Sequence, residues 1–151
     1  MTALNLPSFA PRLRSRDGHT EIFDPLREKF VVLTPEEWVR QHFVNYLVAH
    51  KGYPAGLLQN EVSLRSGRAT RRCDTVLYRR EGLRPRLIAE YKSPQVEISE
   101  EVFRQIASYN SVLRADVLVV SNGIAHFCLH VDYTDGRTRY LRDIPAYEDL
   151  P

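Results

Sequence analysis

The sequence predicts a mixed α/β domain with a central sheet of mixed strand direction flanked by helices. Three observations carry that expectation. Two helix signals, near 34–52 and 99–113, are separated by strand-like runs. The run DVLVVS (116–121) is continuously apolar, as in a strand buried on both faces. Ser66-Gly67, Asn122-Gly123 and Asp135-Gly136 punctuate the runs as turns. At 151 residues and 43% hydrophobic content, the chain can bury one core and lacks the composition of a disordered or fibrous protein.

Residues 1–20, rich in Pro, Arg and Ser, read as a flexible arm. EIFD (21–24) and KFVVL (29–33) are short extended pieces. Thr34 then offers an N-cap, Pro35 the first helical position, and Glu37 the far end of a capping box. Val39, Phe43, Tyr46, Leu47 and His50 follow at helical spacing as one buried face, and Gly52 with Tyr53-Pro54 stops the helix. Trp38, near the helix start, reads as core. Three strands come next: LQNEVSL (58–64), RRCDTVLYRR (71–80) and RPRLIAEYKSP (84–94), the last two joined around Gly82. Ser99 caps a second helix, with Glu100 and Glu101 at its positive end and Val102, Phe103, Ile106 and Leu113 on its apolar side. AHFCLHVDY (125–133) returns as a strand, and 134–151 reads as a weakly structured tail. The expected core, 21–133, therefore runs helix, three strands, helix, two strands.

Cys73 and Cys128 lack metal-ligand or redox spacing and read as reduced, buried thiols of a cytoplasmic protein. No segment approaches ~20 uninterrupted apolar residues, and the N-terminus lacks the pattern of a signal peptide. His126 and His130 share a strand face with no third ligand and read as structural.

Asp74, Glu90 and Lys92 form a D-x15-E-x-K pattern across two neighbouring strands. Alternation puts Glu90 and Lys92 on one face, and the turn brings Asp74 beside them. Two carboxylates can hold a hard divalent cation, with an ammonium over a water or phosphate. Eight arginines fall within residues 65–86, and beside such a site Arg65, Arg68, Arg71 and Arg72 read as a phosphate-gripping rim. A glycosidase reading of the two carboxylates leaves Lys92 and these arginines without a role.

With αβββαβ order, D…E-x-K on the second and third strands resembles the PD-(D/E)XK nuclease superfamily and its restriction-endonuclease-like fold. TPEEWVRQHFVNYL (34–47), RRCDTVLY (71–78), AEYKSP (89–94) and VFRQIASYN (102–110) are similar to the N-terminal nuclease domain of type I restriction enzyme R subunits. Cys73 stands where the superfamily usually has the leading proline. The resemblance implies Asp74 and Glu90 as metal ligands, Lys92 as the catalytic lysine, and Gln105 and Tyr109 as the accompanying Q-x-x-x-Y motif. It also allows an acidic residue of the first helix, Glu37 or Glu36, to reach the metal, and Glu61 on the first strand could project there too. The implied activity is Mg2+-dependent DNA hydrolysis, with Mn2+ able to substitute, in restriction, defence or repair. DNA is the expected partner, with a helicase or specificity protein as further partners; monomer and dimer are both compatible. No G-x-x-x-x-G-K-[ST] loop occurs, so these residues by themselves are expected to act as a free-standing nuclease without ATP-driven translocation. The rival expectations are a non-catalytic nucleic-acid-binding module on the same fold and a nuclease subunit active only with a partner.

Overall fold

The computed structural model describes the backbone of residues 1–151 and every side chain except those of Ser66, Ala69, Tyr109, Ser111 and Val112. A small antiparallel sheet contains β1 (Leu13–Arg16), β2 (His19–Asp24) and β3 (Lys29–Val32). The main sheet contains β4 (Leu58–Ser66), β5 (Ala69–Tyr78), β6 (Pro85–Tyr91), β7 (Val117–Ser121), β8 (His126–Asp132) and β9 (Arg137–Leu141), in that spatial order. Its neighbours are antiparallel except β6 and β7, which run parallel because α2 (Glu100–Leu113) carries the chain back between them.

Alternation along β6 and β7 builds the two halves of the core. Leu87, Ala89, Tyr91, Val117 and Val119 pack with Val39 and Phe43 of α1 (Pro35–Asn45). Ile88, Leu118 and Val120 pack instead with Ile106 of α2. β7 is buried at every position, as its unbroken apolar run requires. The α/β class, with a mixed sheet between helices, is thus the one the sequence predicts.

Local details differ from the sequence expectations. Residues 1–20 are tied down: β1 pairs with β2, the Asn5 N–H donates to Gly123 O at 2.8 Å, and Trp38 Nε1 donates to Thr2 O at 3.0 Å. Trp38 is accordingly half-buried under this segment rather than in the core. The C-terminal tail is also structured, since β9 pairs with β8 and Ile144 and Leu150 enter the α1-side core. Ser99 occupies the N-cap position of α2 without a side-chain capping bond. A π-helical turn over Tyr46–His50 follows α1, and this wider turn takes His50 off the buried face to the surface.

Candidate metal and nucleic-acid site

β5 and β6 bring the expected carboxylates together because Thr75 pairs with Ala89, which sets Asp74 and Glu90 opposite each other one step further on. Asp74 Oδ2 accepts the Tyr91 main-chain N–H at 2.8 Å, and Asp74 lies close enough for its charge to act on Glu90. Burial, and then the charge of Asp74, push the Glu90 carboxyl up to about 9, although the Lys92 charge pulls the other way. Glu90 Oε1 is buried without a hydrogen-bond partner in the described structure. Lys92 is fixed through its backbone, whose N–H donates to Ser121 O at 2.9 Å.

β4 changes character at the same level. Glu61, opposite Asp74 in the register, has φ of 56°, a left-handed conformation that costs a non-glycine residue about 1–3 kcal/mol. Across this point the buried face switches. Leu58 and Leu77 face α1, whereas Val62 and Cys73, an even number of residues away, face α2. Cys73 lies close enough to feel both carboxylates; burial first, then Glu90 and Asp74, push its thiol up to about 12. Cys73 and Cys128 are both free and buried, as the sequence predicts.

The residue that sequence reasoning missed is Arg40. Buried on the inner side of α1, it donates to Glu61 Oε1 at 2.5 Å and to Glu37 Oε1 at 3.2 Å, and reaches Asp74 Oδ1 at 3.5 Å. Burial alone would weaken its charge, but these three carboxylates outweigh it and hold the guanidinium above its ordinary pKa. Glu37, Arg40 and Gln41 at i, i+3 and i+4 are the available signal, a polar stripe beside the apolar face.

Glu37 and Glu61 therefore have arginine partners. Glu37 forms only half of the capping box: its N–H donates to Thr34 Oγ1 at 3.0 Å. Its carboxylate instead accepts from Arg27 at 2.8 Å, Arg40, and Gln41 at 3.0 Å, because charge-assisted bonds are stronger than one to a backbone N–H. Glu61 is clasped by Arg40 and Arg72; burial pushes its carboxyl up, but the arginines more than compensate and hold it below the ordinary value. Among the described residues no group of three His, Cys, Asp or Glu side chains is arranged to hold a metal.

A second buried chain supports the site from behind. Tyr91 OH donates to Thr75 Oγ1 at 2.9 Å, Thr75 to Asn60 Oδ1 at 2.7 Å, and Asn60 Nδ2 to Asp24 Oδ2 at 2.9 Å. Because Asp24 ends β2, the Asn60 bond joins the small sheet to β4, β5 and β6, and Arg27 donates to the same carboxylate at 2.5 Å.

Gln105 lies on α2 with an exposed side chain that makes no hydrogen bond among the described residues. The Tyr109 side chain lies outside those residues. Arg65, Arg68, Arg71 and Arg72 are exposed along the outer half of the β4–β5 hairpin, beyond Asp74. His126 is structural: Nδ1 meets Ser121 Oγ at 2.7 Å and Nε2 meets Asn5 O at 2.8 Å. No helix among the described residues is long and apolar enough to cross a membrane.

Residues 35–145 match the family model described as the type I restriction enzyme R protein N terminus. No curated protein matches. Among solved structures, a fragment assigned as an HsdR subunit of a type I restriction enzyme from Vibrio vulnificus YJ016 has a similar fold. The TM-score is 0.55 at 19% identity, covering 78% of this chain and 24% of that one. The chain thus spans about a quarter of the length of that structural relative.

Proposed function

The chain belongs to the family of type I restriction enzyme R protein N-termini, and from that premise we propose that it hydrolyses DNA phosphodiester bonds with Mg2+ at Asp74, Glu90 and Lys92. The observation that carries the reading is the buried Glu90 oxygen without a partner beside a second carboxylate. In a purely structural site that arrangement is costly; next to a cation it is satisfied.

The donor set fits the ion. Mg2+ is commonly held by one or two carboxylates, with water and substrate phosphate filling the remaining positions, and Mn2+ accepts similar oxygens. Asp74, Glu90 and the main-chain carbonyl near Tyr91 would hold it. Bound there, the ion would supply Lewis-acid neutralisation of charge developing on the phosphate.

The chain's own groups prepare this. The Tyr91 N–H fixes one oxygen of Asp74, and Arg40 draws on the other. Arg40 and Arg72 occupy Glu61, and Arg27 and Arg40 occupy Glu37, so these acids serve to position Arg40 in the proposed site. Lys92 presents a positive donor that orients the nucleophile or steadies developing negative charge. Gln105, exposed on α2, contacts the substrate in this reading, as does Tyr109. The arginines of the β4–β5 hairpin grip backbone phosphates without reading bases.

Family membership also supports a place in a type I restriction system, alongside motor and specificity subunits. The test is incubation of the purified chain with duplex, single-stranded and branched DNA in Mg2+, Mn2+ or EDTA. Cleavage of at least one form that EDTA abolishes is expected. Cleavage of none, both alone and with those subunits added, would reduce the chain to a binding module.

A further inference from the structure

The fold divides the arginine run. Arg79, Arg80, Arg84 and Arg86 lie away from the basic hairpin and meet Arg114, at the end of α2, around a cavity of ≈ 1070 Å³. We infer that this cavity is a second phosphate site, taking a nucleotide phosphate together with its base, from either a free nucleotide or a nucleic-acid strand. This goes beyond the proposed nuclease activity and does not depend on it.

Charge is the first argument. Five arginines line the cavity against two carboxylates, Glu81 and Asp116, an excess of three positive charges. Arg79 is paired with Asp116. Arg80 and Arg84 are exposed on a turn closed by the Arg79 N–H donating to Arg84 O at 2.8 Å. Arg86 donates through Nη2 to Leu150 O at 3.1 Å, while its buried Nε has no partner.

Two tyrosines supply the second argument. The Arg114 guanidinium lies 4.2 Å over the Tyr133 ring. That ring is held in place because its hydroxyl donates to Ala115 O at 2.7 Å and accepts from Asn110 Nδ2 at 2.8 Å. Arg86 lies 5.4 Å from the centre of the Tyr147 ring. Guanidinium forks recognise phosphate, and aromatic faces stack on bases irrespective of sequence. A site for bare phosphate would need no such walls.

Arg114 also caps α2 at φ 54°, where Gly or Asn is the usual occupant. The cavity has room for a nucleotide, since typical ligand pockets span roughly 300–1,000 Å³. Arg86 and Glu90 are four strand steps apart on β6, ~13 Å at ~3.3 Å per step, so the scissile phosphate is not the one bound here.

Calorimetry on the full chain in EDTA tests this with deoxyadenosine monophosphate, inorganic phosphate and a short oligothymidylate. Deoxyadenosine monophosphate should bind about tenfold or more tightly than inorganic phosphate, a gap of roughly 1.4 kcal/mol or more. Arg84→Ala with Arg114→Asn should weaken nucleotide binding by about the same factor. Arg84 is exposed and Asn tolerates the left-handed backbone, so this variant should fold; Arg84→Glu alone should act in the same direction. Asp74→Ala should leave nucleotide binding unchanged, which separates this site from the nuclease reading. Displacement of the nucleotide by oligothymidylate would assign a strand, and failure to displace it a free nucleotide. No nucleotide binding, equal binding of inorganic phosphate, or full affinity in both arginine variants would overturn the inference.

Discussion

Arg40 concentrates the residue-scale account, because one buried guanidinium faces Glu37, Glu61 and Asp74. Breaking a buried pair leaves uncompensated charge at a cost of about 3 kcal/mol or more. Arg40→Met should therefore lower urea stability by about that amount; a loss below ~0.5 kcal/mol would show that the carboxylates need no such partner. Gln105 is the opposite case. Its exposure predicts that Gln105→Ala changes stability by less than ~0.5 kcal/mol while lowering the cleavage rate, read by unfolding and kinetics side by side. Asp74, Glu90 and Lys92 were readable in the sequence because strand alternation and one turn bring them together. Arg40 was not, since its partners Glu61 and Asp74 are 21 and 34 residues away and helix periodicity does not reveal them.

At the scale of elements, the β4–β5 hairpin holds the exposed arginines of the proposed DNA grip. Replacing Arg65 and Arg68 with Ala should weaken binding to all sequences equally. The slope of log affinity against log salt should shrink by ~0.9 for each duplex phosphate that is no longer neutralised. A sequence-selective loss with an unchanged slope would contradict this role. The small sheet is held to the main one through Asp24, which is fully buried. Burial would raise its pKa, but Asn60 and Arg27 outweigh that and hold it below the ordinary 3.8. The unfolded chain thus takes up the proton first: the stabilisation is full above that value and is lost as pH falls through the folded one. Asp24→Asn should cost about 3 kcal/mol at neutral pH, and the gap to the unaltered chain should narrow in acid, as urea unfolding at several pH values would show. Helix starts and turns were legible because their signals are local, as at Thr34-Pro35 and Asn122-Gly123. The docking of residues 1–20 and the pairing of β9 depend on distant partners such as Gly123 and β8, which composition does not disclose.

Over the whole molecule, the sheet between α1 and α2 sets two carboxyl groups opposite each other, where burial and the Asp74 charge disfavour ionisation of Glu90, and the left-handed backbone of Glu61 adds local strain beside them. Both features make sense if a cation and a DNA phosphate complete the site. The overall class was legible because element order survives errors at element ends. The face switch at Glu61 and Cys73 was not, since it breaks the alternation on which strand reading relies. The central claim is most directly tested by the rate of Mg2+-dependent DNA cleavage by Asp74→Ala, under conditions in which the unaltered chain cuts. Abolished cleavage in a folded protein is the result predicted; undiminished cleavage would contradict the assignment of the reaction to this site.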